Sequence, residues 1–256
     1  QVSARFSAFE ITCTDAWGLA ERWLARYSLN WNRTAGSPRT LWQIIYELMA
    51  HFGIKLWNNP AVTQSTAMTN FKPDFYIKPG SRGTTEMRRL LGLCPDGLIP
   101  YGLKSYTKDL KSDEAHCYDY GTSHVILEGR YSQHILTTRA QVMGRDVADN
   151  RIIETAFDWD ELERGIDNLW LRYDPNLQDA ATAQRQADAM MRDEAQKEKG
   201  GQIVVPVNCG QELYDVIRIT DSRVGMTTEK HRVMGITMDY TRIGSHYRHT
   251  LTIGAP

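Results

Sequence analysis

The hydrophobic positions of this chain change period several times, and the changes divide it into stretches. In "TLWQIIYELMAHFG", Ile44, Ile45, Leu48, Met49 and Phe52 fall on one side of a 3.6-residue period. Thr40 and Gln43 stand in capping-box spacing, and Gly53 follows where a left-handed cap is wanted, so a helix is expected here. Upstream, "AWGLAERWLARY" repeats Trp17, Ala20, Leu24 and Tyr27 at steps of three and four, which predicts a helix capped by Thr14 or Asp15. Downstream, "FKPDFYIKPG" is a short strand bounded by prolines. "TTEMRRLLG" is a short helix with Met87, Leu90 and Leu91 inward and Gly92 as its stop.

From residue 101 the period shortens. "AHCYDYGTSHVILEGRYSQHILTTRAQVMG" is rich in β-branched and aromatic residues and punctuated by Gly121, Gly129 and Gly144, which predicts three or more strands. Residues 146 to 178 show little periodicity beyond "ELERGIDNLWLRY". "DAATAQRQADAMMRDEAQKEKGG" reads as a helix capped by Asp179, with a stripe of Ala183, Ala187, Met190, Met191 and Ala195 and a stop at Gly200-Gly201. Four strands follow: "QIVVPV", "ELYDVIRIT", "HRVMGITMDYTR" and "HYRHTLTIG", the last two joined through "IGSH" as a hairpin. The second of them is two-faced without a purely polar side. Leu213, Asp215, Ile217, Ile219 and Asp221 alternate with Tyr214, Val216, Arg218 and Thr220, which suits a wall with protein on both sides. The order of elements predicts an α+β, mainly β fold, a barrel or sandwich interrupted by helical insertions. Residues 1–13 alternate loosely as a strand of a preceding or first barrel. Residues 14–100 form an α/β segment, and 101–256 a β domain with a helical insertion at about 146–200. The chain opens on Gln1 and not Met, with a strand in progress, so earlier residues are expected in the gene product.

Composition narrows the function. The 256 residues carry a net charge of −1, with 41% hydrophobic and 24% charged residues, an ordinary globular balance without acidic or basic blocks. That argues against a nucleic-acid binder working by phosphate neutralisation, and no apolar run reaches the length of a membrane span. Cys13, Cys94, Cys117 and Cys209 lie far apart without a CxxC pair, which excludes a finger-type zinc site and reads as four buried free thiols.

Candidate chemistry is sparse. "DEAH" at 113 to 116 lacks the phosphate-cradling loop a helicase box needs. His116, Cys117 and His124 offer soft ligands, but "DYG" between them is expected to turn the strand. His231, His246 and His249 lie in the terminal strands, the last two on opposite faces. "CPDG" at 94 to 97 reads as a turn. Asp113 with Glu114, or Asp158 with Asp160 and Glu161, could in principle do acid/base work but are expected instead to be solvated or salt-bridged. No nucleophile elbow, HExxH or GxGxxG occurs. No catalytic, cofactor or metal residue is therefore assigned. Trp31, Trp57, Trp159 and Trp170 sit at loops or element edges and suit either core filling or a protein interface.

Taken in order, several phrases resemble the tail-hub (baseplate hub or tail tip) proteins of tailed bacteriophages and related contractile injection machines. They are "TLWQIIYELMAHFGIKL", "FYIKPG", "RRLLGLCPDGLIPYG", "YDYGTSHVILEGRYS", "RAQVMGRD", and the Ala-rich helix followed by "GGQIVVPVNCGQELYDVIRITDSRVGM" and "HRVMGITMDYTRIGSHYRHTLTIG". The resemblance covers most of residues 9 to 253. It implies barrel-type hub domains and a non-enzymatic, homotrimeric virion protein, assembled in the host cytoplasm. Its implied partners are the tail tube or a distal tail protein, a tip or spike protein, and a tape measure protein. It implies no membrane contact, and DNA only in passage through a lumen. The family usually opens with further barrel strands, to which only "QVSARFSAFEIT" could belong here. Two readings from other classes stand beside it: a tail-associated cell-wall-degrading enzyme, and a carbohydrate- or receptor-binding module using exposed aromatics.

Overall fold

A computed structural model describes residues 16–32, 36–111, 113–133, 137–146, 148–174, 177, 179–241 and 246–256. The expected first strand, the caps Thr14 and Asp15, Cys13 and the centre of the "IGSH" turn lie outside these residues.

The first part of the chain folds around a core of its own. Helix α1 (Ala16–Arg22), strand β1 (Leu29–Trp31), helix α2 (Leu41–His51), strand β2 (Lys55–Leu56), helix α3 (Thr66–Asn70), strand β3 (Phe75–Ile77) and helix α4 (Gly83–Leu91) follow in order. α2 forms as its pattern predicts. The Thr40 hydroxyl accepts from the Gln43 amide while the Gln43 side chain accepts from Thr40, and Ile44, Ile45, Leu48 and Met49 are all buried. α1 stops five residues earlier than its periodicity predicts. Leu24 bridges Arg82, and the Ala25 amide donates to the Ser81 carbonyl at 3.0 Å, so a non-local pairing takes the backbone away from the helix. Strand β4 (Asp96–Tyr101) begins inside "CPDG", the turn being confined to the residues before Asp96. It pairs with β5 (Lys104–Asp109), which pairs in parallel with β2. The buried Asp96 carboxylate accepts from the Ser65 hydroxyl and, at 3.0 Å, from the Ser65 amide, while Ser65 caps α3.

Strands β6 (Tyr118–Tyr120) and β7 (Glu128–Gln133) precede a three-stranded unit of β8 (Arg139–Arg145), β9 (Arg151–Phe157), helix α5 (Trp159–Glu163) and β10 (Leu169–Tyr173). β8 is central, antiparallel to β9 and parallel to β10. β9 occupies the stretch whose sequence shows little period, and β10 the end of "ELERGIDNLWLRY". Helix α6 (Ala180–Ala195), capped by Asp179 through the Thr182 amide at 2.7 Å, lies on one face of this sheet. Ala183, Ala187 and Met190 meet Ala140, Val142 and Ala156 there, and small residues on both sides allow the close approach. α6 ends at Ala195; Gly200 and Gly201 do not stop it but belong to strand β11 (Lys199–Pro206), and Ala195 is exposed.

β12 (Val216–Asp221), β13 (Met226–Thr241) and β14 (His246–Gly254) complete a six-stranded sheet in the order β6-β12-β13-β14-β11-β7. β12 starts later than expected because Tyr214 adopts a left-handed conformation (φ 66°) and the Asp215 carboxylate accepts from the Glu212 amide at 2.8 Å, making a turn of "ELYD". Within β12, Ile217 and Ile219 enter the core. On the other parity Val216 is buried and Arg218 pairs with Asp119, so protein meets both faces. The fold is thus α+β and mainly β. The expected barrel is met as a curl and not as a closed ladder. Tyr131 of β7 donates to Asp221 Oδ2 of β12 at 3.1 Å across the inner face, bringing the two ends of the sheet together. Yet among the described residues β6 and β7 do not pair. β6 is only three residues long, and Gly121 (φ 92°) turns the chain back so that His124 bridges Tyr120 before a partner strand can form.

Candidate functional site

The residues singled out for chemistry are bound up in holding strands and turns. In "DEAH", Glu114 takes an ion pair from Lys108 and another from Arg232 at 3.1 Å. Arg232 is 1% exposed and also donates to the Tyr214 carbonyl (2.9 Å) and the Lys111 carbonyl (2.7 Å), tying the 111–116 loop to the back of β13. His116 Nε2 lies 3.4 Å from Asp119 Oδ1. Asp119 is held below the usual carboxylate range, first by its hydrogen bond to Arg218 and then by His116. Cys117 is exposed as a residue. Desolvation of its sulfur and the neighbouring Asp215 carboxylate, to which it donates, nevertheless push the thiol up to about 11. His124 packs its ring 5.7 Å from Tyr118 and 5.3 Å from Tyr120. The strand does turn at "DYG", and His116, Cys117 and His124 are engaged with three different partners. Among the described residues no three His, Cys, Asp or Glu gather as a metal-holding group.

Asp158 caps α5 through the Glu161 amide at 3.2 Å, and Glu161 pairs with Arg164. Cys94 is buried and its thiol is pushed up to about 12 by burial and Asp96, but Cys117 and Cys209 are exposed, so among the described residues the expectation of buried thiols holds for Cys94 and fails for the other two. Those two cysteines sit in loops flanking the sheet, where no apolar layer covers them. His231 and His249 lie on the core face of the six-stranded sheet, opposite Ile217 and Val205; the His249 ring nitrogens have no hydrogen-bond partner among the described residues, and His231 has only the Lys199 and Gly254 backbone near it. Burial lowers both below the ordinary histidine value. His246 opposes Thr241 at the start of β14.

The tryptophans divide. Trp31 is buried and donates to Glu47 at 2.7 Å, Trp57 packs edge-on to Tyr106, and Trp170 lies under Lys197 against the α6 core. Trp159 is exposed and stacks on Phe157 with ring centroids 4.7 Å apart. It marks the feature that sequence periodicity missed, the face of the β8–β9–β10 sheet turned away from α6. Register places Phe157, Arg139 and Leu169 in one row across that face, and Ile153, Met143 and Tyr173 in another. The signal was present in "LWLRY", whose Leu169, Leu171 and Tyr173 make one parity wholly apolar while Trp170 fills the α6 side, so both sides call for cover. An open cleft of about 580 Å³ lies elsewhere, lined by Arg22, Trp23, Arg26, Tyr27 and His51 among others. Among the described residues no helix is long and apolar enough to cross a membrane.

The sequence matches no protein-family model and no curated protein. Solved structures do resemble it. The 43 kDa tail protein of prophage MuSo2 from Shewanella oneidensis shares 13% identity at a TM-score of 0.66, over 93% of this chain and 71% of that one. The tail protein from Neisseria meningitidis MC58 shares 12% at a TM-score of 0.60, over 88% and 69%. A chain of the native gene transfer agent virion shares 10% at a TM-score of 0.56, over 86% of this chain and 48% of that one. The mainly β fold with its helical insertions is therefore one shared with tail and virion proteins.

Proposed function

We propose that this chain is a structural subunit of a phage-type tail, a homotrimeric hub joining the tail tube or a distal tail protein to the tip or spike. The observation that carries the reading is the likeness in fold, over most of the chain, to proteins described as tail proteins. The engagement of Glu114, Asp158, His116 and Cys117 in structural bonds supports it from the side of chemistry. The work is geometric: subunits close a ring, the ring matches symmetry between tube and tip, and interface burial holds it. In this reading no residue is catalytic and no cofactor or metal is held. A tape measure protein is a further neighbour, DNA meets the chain only within a lumen, and no membrane is touched. The site of action is the virion, after assembly in the host cytoplasm. Native mass and negative-stain class averages of the purified chain test this. A threefold ring with a central channel is the expected result, and a compact monomer overturns it.

A further inference from the structure

We infer that copies of this chain associate head to tail, the aromatic face of the β13–β14 ribbon of one copy covering the open apolar face of the β8–β9–β10 sheet of the next. The inference rests on the ring reading above and names its contact surfaces.

The receiving surface is the sheet face opposite α6. Leu169, Leu171 and Tyr173 of β10 and Ile153 and Phe157 of β9 point there, with Trp159 stacked on Phe157, and each is between 39% and 65% exposed. A sheet with a helix packed on one side and six large apolar side chains on the other lacks its third layer.

The donating surface is a ribbon. β13 and β14 run on past the core contacts of Leu251 and Ile253, and a bulge between Val233 and Gly235 shifts the register by one residue. The shift puts Ile236, Met238 and Tyr240 on the same side as His249 and Leu251, so the apolar face of the core continues along the projecting arm. There Met238, Tyr240 and Tyr247 are 48% to 70% exposed. They are also organised in advance of any partner. The two tyrosine rings meet edge to face at 5.7 Å, and the Tyr247 hydroxyl donates to Met238 Sδ at 3.4 Å.

Size and shape favour pairing these two surfaces with each other. From the exposed fractions, the sheet face offers about 600 Å² and the ribbon about 350 Å² of apolar side chain, taking roughly 200 Å² for a whole large side chain. Together these nine side chains alone supply about 950 Å², close to the roughly 1,000 Å² floor of a specific interface before their polar surroundings are counted. A two-stranded ribbon, about 5 Å between strands, also fits across three strands of sheet. The strand positions on the open face carry Arg139, Arg145 and Arg151; Arg139 and Arg145 pair with Asp167 and Asp149, which leaves Arg151 to meet the tyrosine rings of the ribbon. Arg151, bonded only to Met143 Sδ among the described residues, is placed to lie on a tyrosine face. Because the two surfaces are different, the contact is heterologous and propagates around a ring.

The test uses Leu171→Asp and Tyr240→Asp in the full chain, each checked for native circular dichroism, with Leu171→Ser and Tyr240→Ser as milder versions. Sedimentation velocity should show the wild-type oligomer, each variant alone as a monomer, and a 1:1 mixture of the two as a dimer and nothing larger. Each variant in the mixture retains one intact surface, so only one contact can form. An oligomer that survives both substitutions, or dissolves with only one of them, overturns the inference. A threefold ring intact in both variants does so while leaving the hub reading standing; a monomeric wild type removes both.

Discussion

Replacing Arg232 with methionine keeps most of the side chain's volume and removes a guanidinium that makes three contacts. They are Glu114 Oε2 at 3.1 Å, the Tyr214 carbonyl at 2.9 Å and the Lys111 carbonyl at 2.7 Å. Two effects oppose one another. Taking a cation out of a site that is 1% exposed relieves a desolvation penalty, and whole buried ion pairs exchanged for apolar groups are often neutral or better. Here, however, only one partner leaves. Two carbonyl oxygens lose a donor, at about 1–3 kcal/mol each where water cannot replace it; the Lys111 carbonyl, which keeps the Glu114 amide at 3.2 Å, falls at the low end of that range and Tyr214 at the high end. Glu114 loses less, because its side chain is 26% exposed and keeps Lys108. The unmade hydrogen bonds win, and the expected loss is about 3 kcal/mol. Urea unfolding followed by tryptophan fluorescence should show the midpoint falling by about 1 M, taking a slope of about 3 kcal/mol/M. Glu114→Gln, which leaves both carbonyl contacts in place, should cost about a third as much. A midpoint for Arg232→Met at or above wild type would refute the reasoning, since desolvation would then outweigh the contacts.

Three further outcomes are expected. His231 and His249 are lowered by burial, so the unfolded chain binds more protons than the folded one. Their contribution is complete above the unfolded value of about 6.5 and is lost as pH falls from there through the depressed folded values, at up to about 1.4 kcal/mol per pH unit per group. The urea midpoint should fall between pH 7.5 and 5.5, less steeply in His249→Leu, with Glu229 and Lys199 moderating His231 in opposite senses; a flat profile would contradict this. Gly121→Ala should strip β6 from β12, because φ is 92° and a Cβ would sit inside the Thr220 carbonyl. The Cys117 amide, bonded to the Val216 carbonyl at 2.8 Å, should then lose its protection from hydrogen exchange, and retained protection would count against the steric argument. With the Cys117 thiol at about 11, roughly one molecule in a thousand is thiolate at pH 8. Peptide mass mapping should therefore find Cys117 alkylated slowly despite its exposure, and Cys94 only after unfolding.

The parts of the fold that were legible in the sequence are those fixed by neighbours in the chain. The capping box of α2, its buried stripe, the Asp179 cap of α6 and the four closing strands all follow from residues a few positions apart. Where reading failed, a distant partner decided. α1 ends at Arg22 because Ala25 and Leu24 pair with Ser81 and Arg82, a strip of backbone sixty residues away that no helical period can reveal. Gly200 and Gly201 look like a helix stop but lie in β11, where Gly201 faces Tyr131 and Ile253 across the ladders. β9 and β10 are hard to read because both parities mix polar and apolar residues: Ile153 and Phe157 share the open side with Arg151 and Thr155, while Glu154 and Arg172 fall on the α6 side, so the alternation of a half-buried strand is lost. The apolar residues on that open side make the β8–β9–β10 face the candidate surface.

The meeting of Tyr131 with Asp221 has a consequence for motion. A closed barrel can change its girth only by breaking ladder hydrogen bonds in register, whereas this sheet is fastened by a side-chain latch. Releasing the latch costs one charge-assisted hydrogen bond, about 1.5–3 kcal/mol, together with the packing of Tyr131 on the core, and leaves each of the five strand pairings of the curl untouched. Beside a global unfolding cost several times larger, the curl can thus loosen along one line while β13 and β14 stay rigid. In a ring of such subunits that line is a hinge. It would let the circumference adapt to a wider or narrower neighbour without disturbing the strands that carry the contacts.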